Sequence, residues 1–180
     1  MTESEFVKHL IKRLARLDAE DGWRDALNPA QQTVLEYLSQ ANRFSRRPSH
    51  VAEFMGSTRG TISQTLKSLS VKGYITEEKS ESDRRSISYK LTDHGHETVS
   101  SAHRLDHALE TFHGDKIAQL AGILQTTLHR AIEGNDQKPF GVCKHCQHFK
   151  SQRSGGHCQL LNVALDRAET NQICFEQVPA

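Results

Sequence analysis

Four cysteines near the C-terminal end of the 180-residue chain form its most distinctive chemical pattern. Cys143, Cys146, Cys158 and Cys174 follow the spacing C-x2-C-x11-C-x15-C. A C-x2-C pair lets two thiolates approach one ion across a tight turn, and two more distant thiolates can complete a tetrahedral set. The spacing therefore predicts one metal site held by all four cysteines.

Three kinds of site fit this pattern. A structural zinc ion fits the number of thiolates and a reducing compartment, where disulfides are rare. A 4Fe-4S cluster also uses four thiolates, and the long spacings before Cys158 and Cys174 suit it better than they suit a zinc ribbon, which ends in a second C-x2-C. Thiol–disulfide redox sensing without a metal is the third kind. We take zinc as the expected cofactor and keep the cluster as the alternative.

The segment that carries the cysteines, residues 138–180, lacks sustained apolar periodicity. It is also too short to build an adequate core alone, so we expect a metal to hold it together. Three histidines lie beside the cysteines: His145, His148 and His157. Each could replace a cysteine as a ligand, but with four cysteines present we interpret them as groups around the site.

A helix in the middle of the chain offers a second set of chemical groups. Ser57 or Thr58 caps this helix, which runs to about Leu69. Ile62, Leu66 and Leu69 recur at spacings of four and three, which directs them toward a core. The polar remainder carries donors and acceptors that suit base edges and phosphates. These residues are Ser57, Thr58, Arg59, Thr61, Ser63, Gln64 and Lys67.

Two neighbouring elements complete a DNA-reading unit. A short helix precedes the polar helix, so that residues 49–70 or thereabouts form a helix-turn-helix. After Gly73 the apolar period changes to alternation, which predicts a β-hairpin, or wing, over about 74–91. The charged hairpin turn would place Arg84 or Arg85 near the minor groove, whose negative potential favours arginine.

Further helices precede this unit. Apolar residues spaced by three and four predict an amphipathic helix over about 4–18. Asn28 and Pro29 have the residue types of an N-cap and a first helical position, and Gln31 stands where a capping-box partner would be. A second helix is therefore predicted from residue 29 onward.

Helices also follow the wing. Thr92 or Asp93 can cap a helix that we expect to run unbroken to His113, and Gly114 separates it from a last long helix. The apolar stripes of the helices in 4–18 and 94–133 provide more apolar surface than a small DNA-binding domain needs for its own core. Because two-fold symmetric DNA sites call for a symmetric protein, these stripes predict a homodimer.

Charge is concentrated in the same central region. Residues 43–90 hold 10 Lys and Arg against 5 Asp and Glu, although the formal net charge of the chain is only +1. The segments on both sides, 1–42 and 91–142, are acidic. This distribution is expected if one face of the protein meets phosphates, and it is also compatible with an ordinary solvated surface.

The runs GSTRGTISQTLKSLSVKGYI and SDRRSISYKLTDHG resemble the MarR (multiple antibiotic resistance regulator) family, and WRDALNPAQQTVLEYL is similar to that family's entry into its second helix. The resemblance covers roughly residues 5–133. It implies a homodimeric regulator in which Arg85 is the wing-tip arginine and Asp83 braces the turn. Typical members of the family lack a cysteine tail, so the resemblance implies nothing about residues 138–180.

These patterns predict a mainly α-helical protein with a small β-hairpin wing, a winged helix-turn-helix, followed by a small metal-stapled C-terminal segment. The DNA-binding and dimerisation domain covers 1–137, and the four-cysteine tail covers 138–180. No apolar run approaches the roughly 18 residues of a membrane span. The start of the chain also lacks the pattern of a signal peptide. We therefore expect a cytoplasmic protein with no membrane partner.

The sequence favours a transcription regulator over an enzyme. It contains no Gly-rich phosphate loop, no H-E-x-x-H and no nucleophile elbow, and its cysteines form a cage instead of one activated thiol. The expected partners are double-stranded DNA and a second copy of the chain, and a small-molecule or redox effector stays open. The alternatives are an iron–sulfur redox-sensing regulator, a small metal-linked redox enzyme subunit and a protein-interaction module.

Overall fold

The computed structural model describes residues 1–21, 27–79, 87–100, 103–134 and 137–180. This part of the chain is mainly helical with small antiparallel sheets, as predicted. Its helices are α1 (Glu3–Asp21), α2 (Pro29–Gln40), α3 (Pro48–Phe54), α4 (Arg59–Val71), α5 (Asp93–Val99), α6 (Arg104–Glu110) and α7 (Asp115–Ile132). Its strands are β1 (Ile75–Lys79), β2 (Ile87–Leu91), β3 (Gly141–Val142), β4 (Phe149–Gln152), β5 (Gly155–Cys158), β6 (Val163–Asp166) and β7 (Ile173–Cys174). Within these ranges no helix has both the length and the apolar character needed to cross a bilayer.

Helix α2 is the centre of the body and begins where the sequence predicts. Asn28 Oδ1 accepts a hydrogen bond from Gln31 N at 2.9 Å, and Gln31 Oε1 accepts one from Asn28 N at 3.2 Å. This reciprocal pair is a capping box with Pro29 at the first helical position. Val34 and Leu35 are fully buried. The helix thus contacts α3, α4, α5 and β2.

Helices α3 and α4 form the predicted helix-turn-helix. Gly56 makes the turn with a φ of +56°, a conformation that glycine adopts without strain. Ile62, Leu66 and Leu69 are buried, which confirms the predicted helical phase of α4. Each such side chain contributes about 1.5–3 kcal/mol through burial, so this stripe fixes α4 against α2.

The wing is anchored in the same core. Strands β1 and β2 pair antiparallel from Ile75↔Leu91 to Lys79↔Ile87. Ile75, Tyr89 and Leu91 are buried, so the base of the hairpin cannot slide by one residue without exposing them.

The predicted unbroken helix from residue 93 to His113 is wrong. It is divided into α5 and α6. His103 has an extended backbone, with φ −94° and ψ 162°, and so starts a new helix. Asp106 Oδ2 accepts from His103 N at 2.8 Å and caps this start of α6. The apolar spacing did not reveal this cap.

The N-terminal and last helices leave much apolar surface uncovered. Helix α1 packs against α6, where Arg104 binds Asp21 through Nε–Oδ1 at 2.7 Å. Helix α7 buries none of its residues. The exposed apolar side chains on the two helices are Phe6, Val7, Leu10, Ile11, Leu14, Ile117, Ile123, Leu124 and Leu128.

The tail folds into two small sheets. Strands β4, β5 and β6 form an antiparallel sheet, and β3 pairs with β7. Gly156 on β5 lies directly against the Phe149 ring, and a Cβ there would lie only 2.1 Å from Phe149 Cε2. A glycine is therefore required at this position for the ring to cover the sheet.

A close approach at Gly95 gives a test of the body fold. A Cβ at Gly95 would lie 2.2 Å from the Tyr74 carbonyl oxygen, which is backbone and cannot rotate away. We expect Gly95→Ala to lower the free energy of unfolding by about 1–3 kcal/mol, as overpacking does. Urea unfolding followed by circular dichroism measures this change.

The matched control is Gly60→Ala in α4. A Cβ there would have its nearest neighbour, Thr58 Oγ1, at 3.9 Å, which is ordinary contact. Because alanine favours helix over glycine, this variant should be unchanged or slightly more stable. Equal losses in the two variants would contradict the proposed clash at Gly95.

Candidate functional site

The polar residues predicted on α4 lie together on its outer face. Thr58 caps the helix, and its side chain accepts from Thr61 N at 3.2 Å. Ser57 is half-buried, and the remaining predicted residues are exposed: Thr58, Arg59, Thr61, Ser63, Gln64 and Lys67. The opposite face of the helix is buried, so α4 presents one continuous polar strip to solvent.

The wing is described only at its base. The predicted residues Asp83, Arg84 and Arg85 lie outside the described residues. At the base, Lys90 Nζ contacts Glu78 Oε1 at 2.7 Å across the two strands. The Tyr89 hydroxyl donates to Glu77 Oε1 at 3.1 Å, on the neighbouring register pair.

The four cysteines come from separate parts of the tail. Cys143 follows β3 and begins a 3₁₀ turn, and Cys146 ends that turn with its N–H bonded to the Cys143 carbonyl at 3.0 Å. Cys158 ends β5, and Cys174 ends β7. All four are free thiols. The chain therefore brings together the residues that the sequence analysis grouped.

These cysteines surround one cavity of about 20 Å³. His148, Phe149 and Leu165 also line it, whereas His145 is exposed. In the ranges described above, which include all four cysteines, no three or more His, Cys, Asp and Glu side chains form a ready-made group that could hold a metal ion. The structure thus shows a shared cavity and not a coordination geometry.

Two of the thiols interact directly. Cys143 and Cys174 are buried. The hydrogen bond between them raises the pKa of Cys143, and burial raises it further. The same hydrogen bond lowers the pKa of Cys174.

A loop of the body, residues 41–47, contacts the segments that carry Cys143 and Cys174. Asn42 Nδ2 donates to Cys143 Sγ at 3.3 Å, and Ser45 Oγ accepts from Phe175 N at 2.8 Å. The sequence analysis missed Asn42 and Ser45. They are 101 and 130 residues from these partners, and no local spacing signals such a contact.

Comparisons with known proteins agree with this architecture. A sequence model described as the MarR family matches residues 27–86. A MepR–DNA complex from S. aureus is 17% identical, covers 72% of this chain and 98% of that chain, and has a TM-score of 0.55. CouR bound to a 23-mer DNA duplex is 25% identical, with 70% and 92% covered and a TM-score of 0.54. Apo MarR from E. coli is 19% identical, with 71% and 98% covered and a TM-score of 0.51.

A comparison with curated protein sequences found no match. The family match spans α2, α3, α4 and β1, and so includes the helix that presents the polar strip. The matched solved structures have the same fold as these elements of this chain. Residues 27–86 of this chain therefore resemble the MarR family, and the described part of the chain shares the fold of the matched structures.

Proposed function

We propose that the protein is a cytoplasmic transcription regulator that binds specific sequences in double-stranded DNA with α4 in the major groove. The observation that carries the proposal is the exposed polar strip of α4, held in place by a buried stripe on its other side. MepR and CouR have both been solved bound to DNA, which supports a DNA partner for this chain as well. The family is one of regulators, and we propose no catalytic role.

We further propose that the regulator is a homodimer. The apolar faces of α1 and α7 are exposed in one copy of the chain, and a second copy is the occupant that a two-fold symmetric DNA site requires. We propose that both faces, one on the N-terminal helix and one on the last helix, belong to the dimer interface.

We also propose that the four cysteines bind one zinc ion. The shared cavity supports this proposal, since about 20 Å³ has room for roughly one water-sized occupant. The free thiols and their separate positions in the tail are also typical of a site that staples a small segment.

Selection of binding sequences from a randomised DNA duplex library tests the proposed DNA binding. We expect enrichment of a sequence with two related half-sites about one helical turn apart. Failure to enrich any sequence over several rounds would contradict the proposal. The selected duplex then serves as the probe for the following measurements.

Lys67 gives a quantitative test of how α4 meets the duplex. Its exposed ammonium lies on the polar strip, so a phosphate contact is expected. Lys67→Ala should weaken binding to all sequences and lower the slope of log affinity against log salt by about one unit. Fluorescence anisotropy at several salt concentrations measures this slope.

Lys150→Ala is the matched control, because this exposed lysine lies on β4 of the tail. Its salt slope should equal that of the unchanged protein. An unchanged slope in Lys67→Ala would mean that Lys67 makes no phosphate contact, and α4 would need a different orientation on DNA.

A further inference from the structure

The loop of residues 41–47 forms hydrogen bonds to the residues immediately before and after Cys174. Asn42 N donates to the Ile173 carbonyl at 2.9 Å, and Ser45 Oγ accepts from Phe175 N at 2.8 Å. Ile173 and Phe175 are the two chain neighbours of Cys174. Together with the Asn42–Cys143 hydrogen bond, these contacts tie the loop to both buried cysteines.

The same loop positions the DNA-reading elements. The Ser45 carbonyl accepts from the Tyr37 hydroxyl of α2 at 2.7 Å, and the Arg46 carbonyl accepts from Tyr89 N of the wing at 3.1 Å. Arg47 is the N-cap residue of α3. The loop thus contacts α2, leads into the helix-turn-helix and binds the base of the wing.

Within the loop, Asn42 and Ser45 are joined by a direct, buried hydrogen bond. Ser45 Oγ donates to Asn42 Oδ1 at 2.8 Å, and both residues are only 1% exposed. Breaking this hydrogen bond would leave a buried polar group without a partner, which costs about 1–3 kcal/mol. A change at the cysteines therefore has to be accommodated by Asn42 and Ser45 together.

Helix α3 also touches the cysteine strand through side chains. The His50 ring stacks on Phe175 with 3.9 Å between centroids and 15° between planes. Phe140 packs on Phe175 at 5.5 Å and on Phe54 of α3 at 5.2 Å. Two separate paths, one polar and one aromatic, connect the residue after Cys174 with α3.

We infer that metal binding at the four cysteines regulates DNA binding, with the loop of residues 41–47 as the coupling element. The inference rests on the proposed function and adds its regulation. A bound zinc ion would hold the sulfurs of Cys143 and Cys174 in fixed positions, and Asn42 and Ser45 contact these two segments directly. The loop is held in the position that supports α3 and the wing, so the zinc form binds DNA more tightly.

The test needs only the unchanged protein. Affinity for the selected duplex is measured by anisotropy on zinc-loaded protein and on protein stripped by a chelator under a non-chelating reductant. We expect about tenfold tighter binding by the zinc form, within the range typical of coupled sites. Because coupling is reciprocal, the duplex should raise the zinc affinity by the same factor in a competition titration with a zinc indicator.

Asn42→Ala tests the loop as the connection. The variant should keep its zinc but reduce the tenfold difference to about threefold, because its amide no longer links the loop to Cys143 while the aromatic path through His50 and Phe175 remains. Asn171→Ala is the matched control, since Asn171 bonds to Lys144 and Arg167 within the tail. It should keep the full tenfold difference. If Asn42→Ala fails to fold, Ser45→Ala removes the neighbouring link to Phe175.

The outcomes separate the two proposals. Equal DNA affinity with and without zinc, in protein that binds both, overturns the coupling and leaves the proposed regulator standing. Tighter binding by the stripped protein overturns the proposed direction. Absence of any selected DNA sequence overturns the proposed function and the inference with it.

Discussion

If the four cysteines bind zinc as proposed, replacing Cys174 with serine is expected to release the ion and to unfold the tail, residues 138–180. Serine lacks the thiolate that zinc binds, and Cys174 is buried at the end of β7, where no water can replace it. Zinc contributes on the order of 10 kcal/mol to the folding of such small units. Elemental analysis should fall from about one zinc per chain to near zero, and limited proteolysis should cleave the tail.

The body should survive this change. Its core is built on residues such as Val34, Leu35 and Leu66, none of which has any exposed surface, so most of the helical signal in circular dichroism should remain. Ser154→Ala, at an exposed position between β4 and β5, is the control and should keep its zinc.

Other results would change the nature of the site. If the purified protein is brown and contains iron and sulfide, the same four cysteines hold an iron–sulfur cluster instead of zinc. Stoichiometric disulfides without any metal, in protein purified under reducing conditions without chelator, would rule out the shared metal site.

Replacing Leu10 or Leu124 with glutamate is expected to convert the proposed dimer into a monomer. The two side chains are 44% and 46% exposed in a single copy. In a two-fold symmetric interface, each leucine would be buried in both copies, so each substitution removes two buried side chains. A loss of about 2 kcal/mol per leucine raises the dissociation constant of the dimer by about 1,000-fold, before the cost of burying a charge is added.

Light scattering coupled to size-exclusion chromatography measures this change as a halved mass. Val71→Glu is the control, because Val71 is an isolated apolar residue that is 81% exposed at the end of α4. Its mass should stay that of the unchanged protein. If both leucine variants keep a dimeric mass, the interface lies elsewhere on the molecule.

Features that depend on local spacing could be predicted from the sequence. Asn28, Pro29 and Gln31 define the start of α2 because a capping box involves only neighbouring residues. The phase of α4 was correct because Ile62, Leu66 and Leu69 follow the helical period. The grouping of the four cysteines into one metal site stays a prediction, although all four line the same cavity.

Features that depend on a competing side chain or on distant contacts could not be predicted. The start of α6 depends on Asp106, whose carboxylate caps the extended residue His103 within an otherwise helical apolar pattern. The role of Asn42 depends on a partner 101 residues away. A single sequence contains no signal for that pairing, since an asparagine near a helix end is ordinary.

The pairing of Ala41 and Asn42 with Ile173 also affects the order in which the chain can fold during synthesis. The body has its own core and can collapse as soon as its helices have left the ribosome. The loop that leads into α3 cannot find its partner strand until residues beyond 173 have emerged. Contacts of such long sequence separation form slowly, because a large loop has to close first. A newly made chain therefore passes through an interval in which its helices are packed but the entry to its helix-turn-helix is still open.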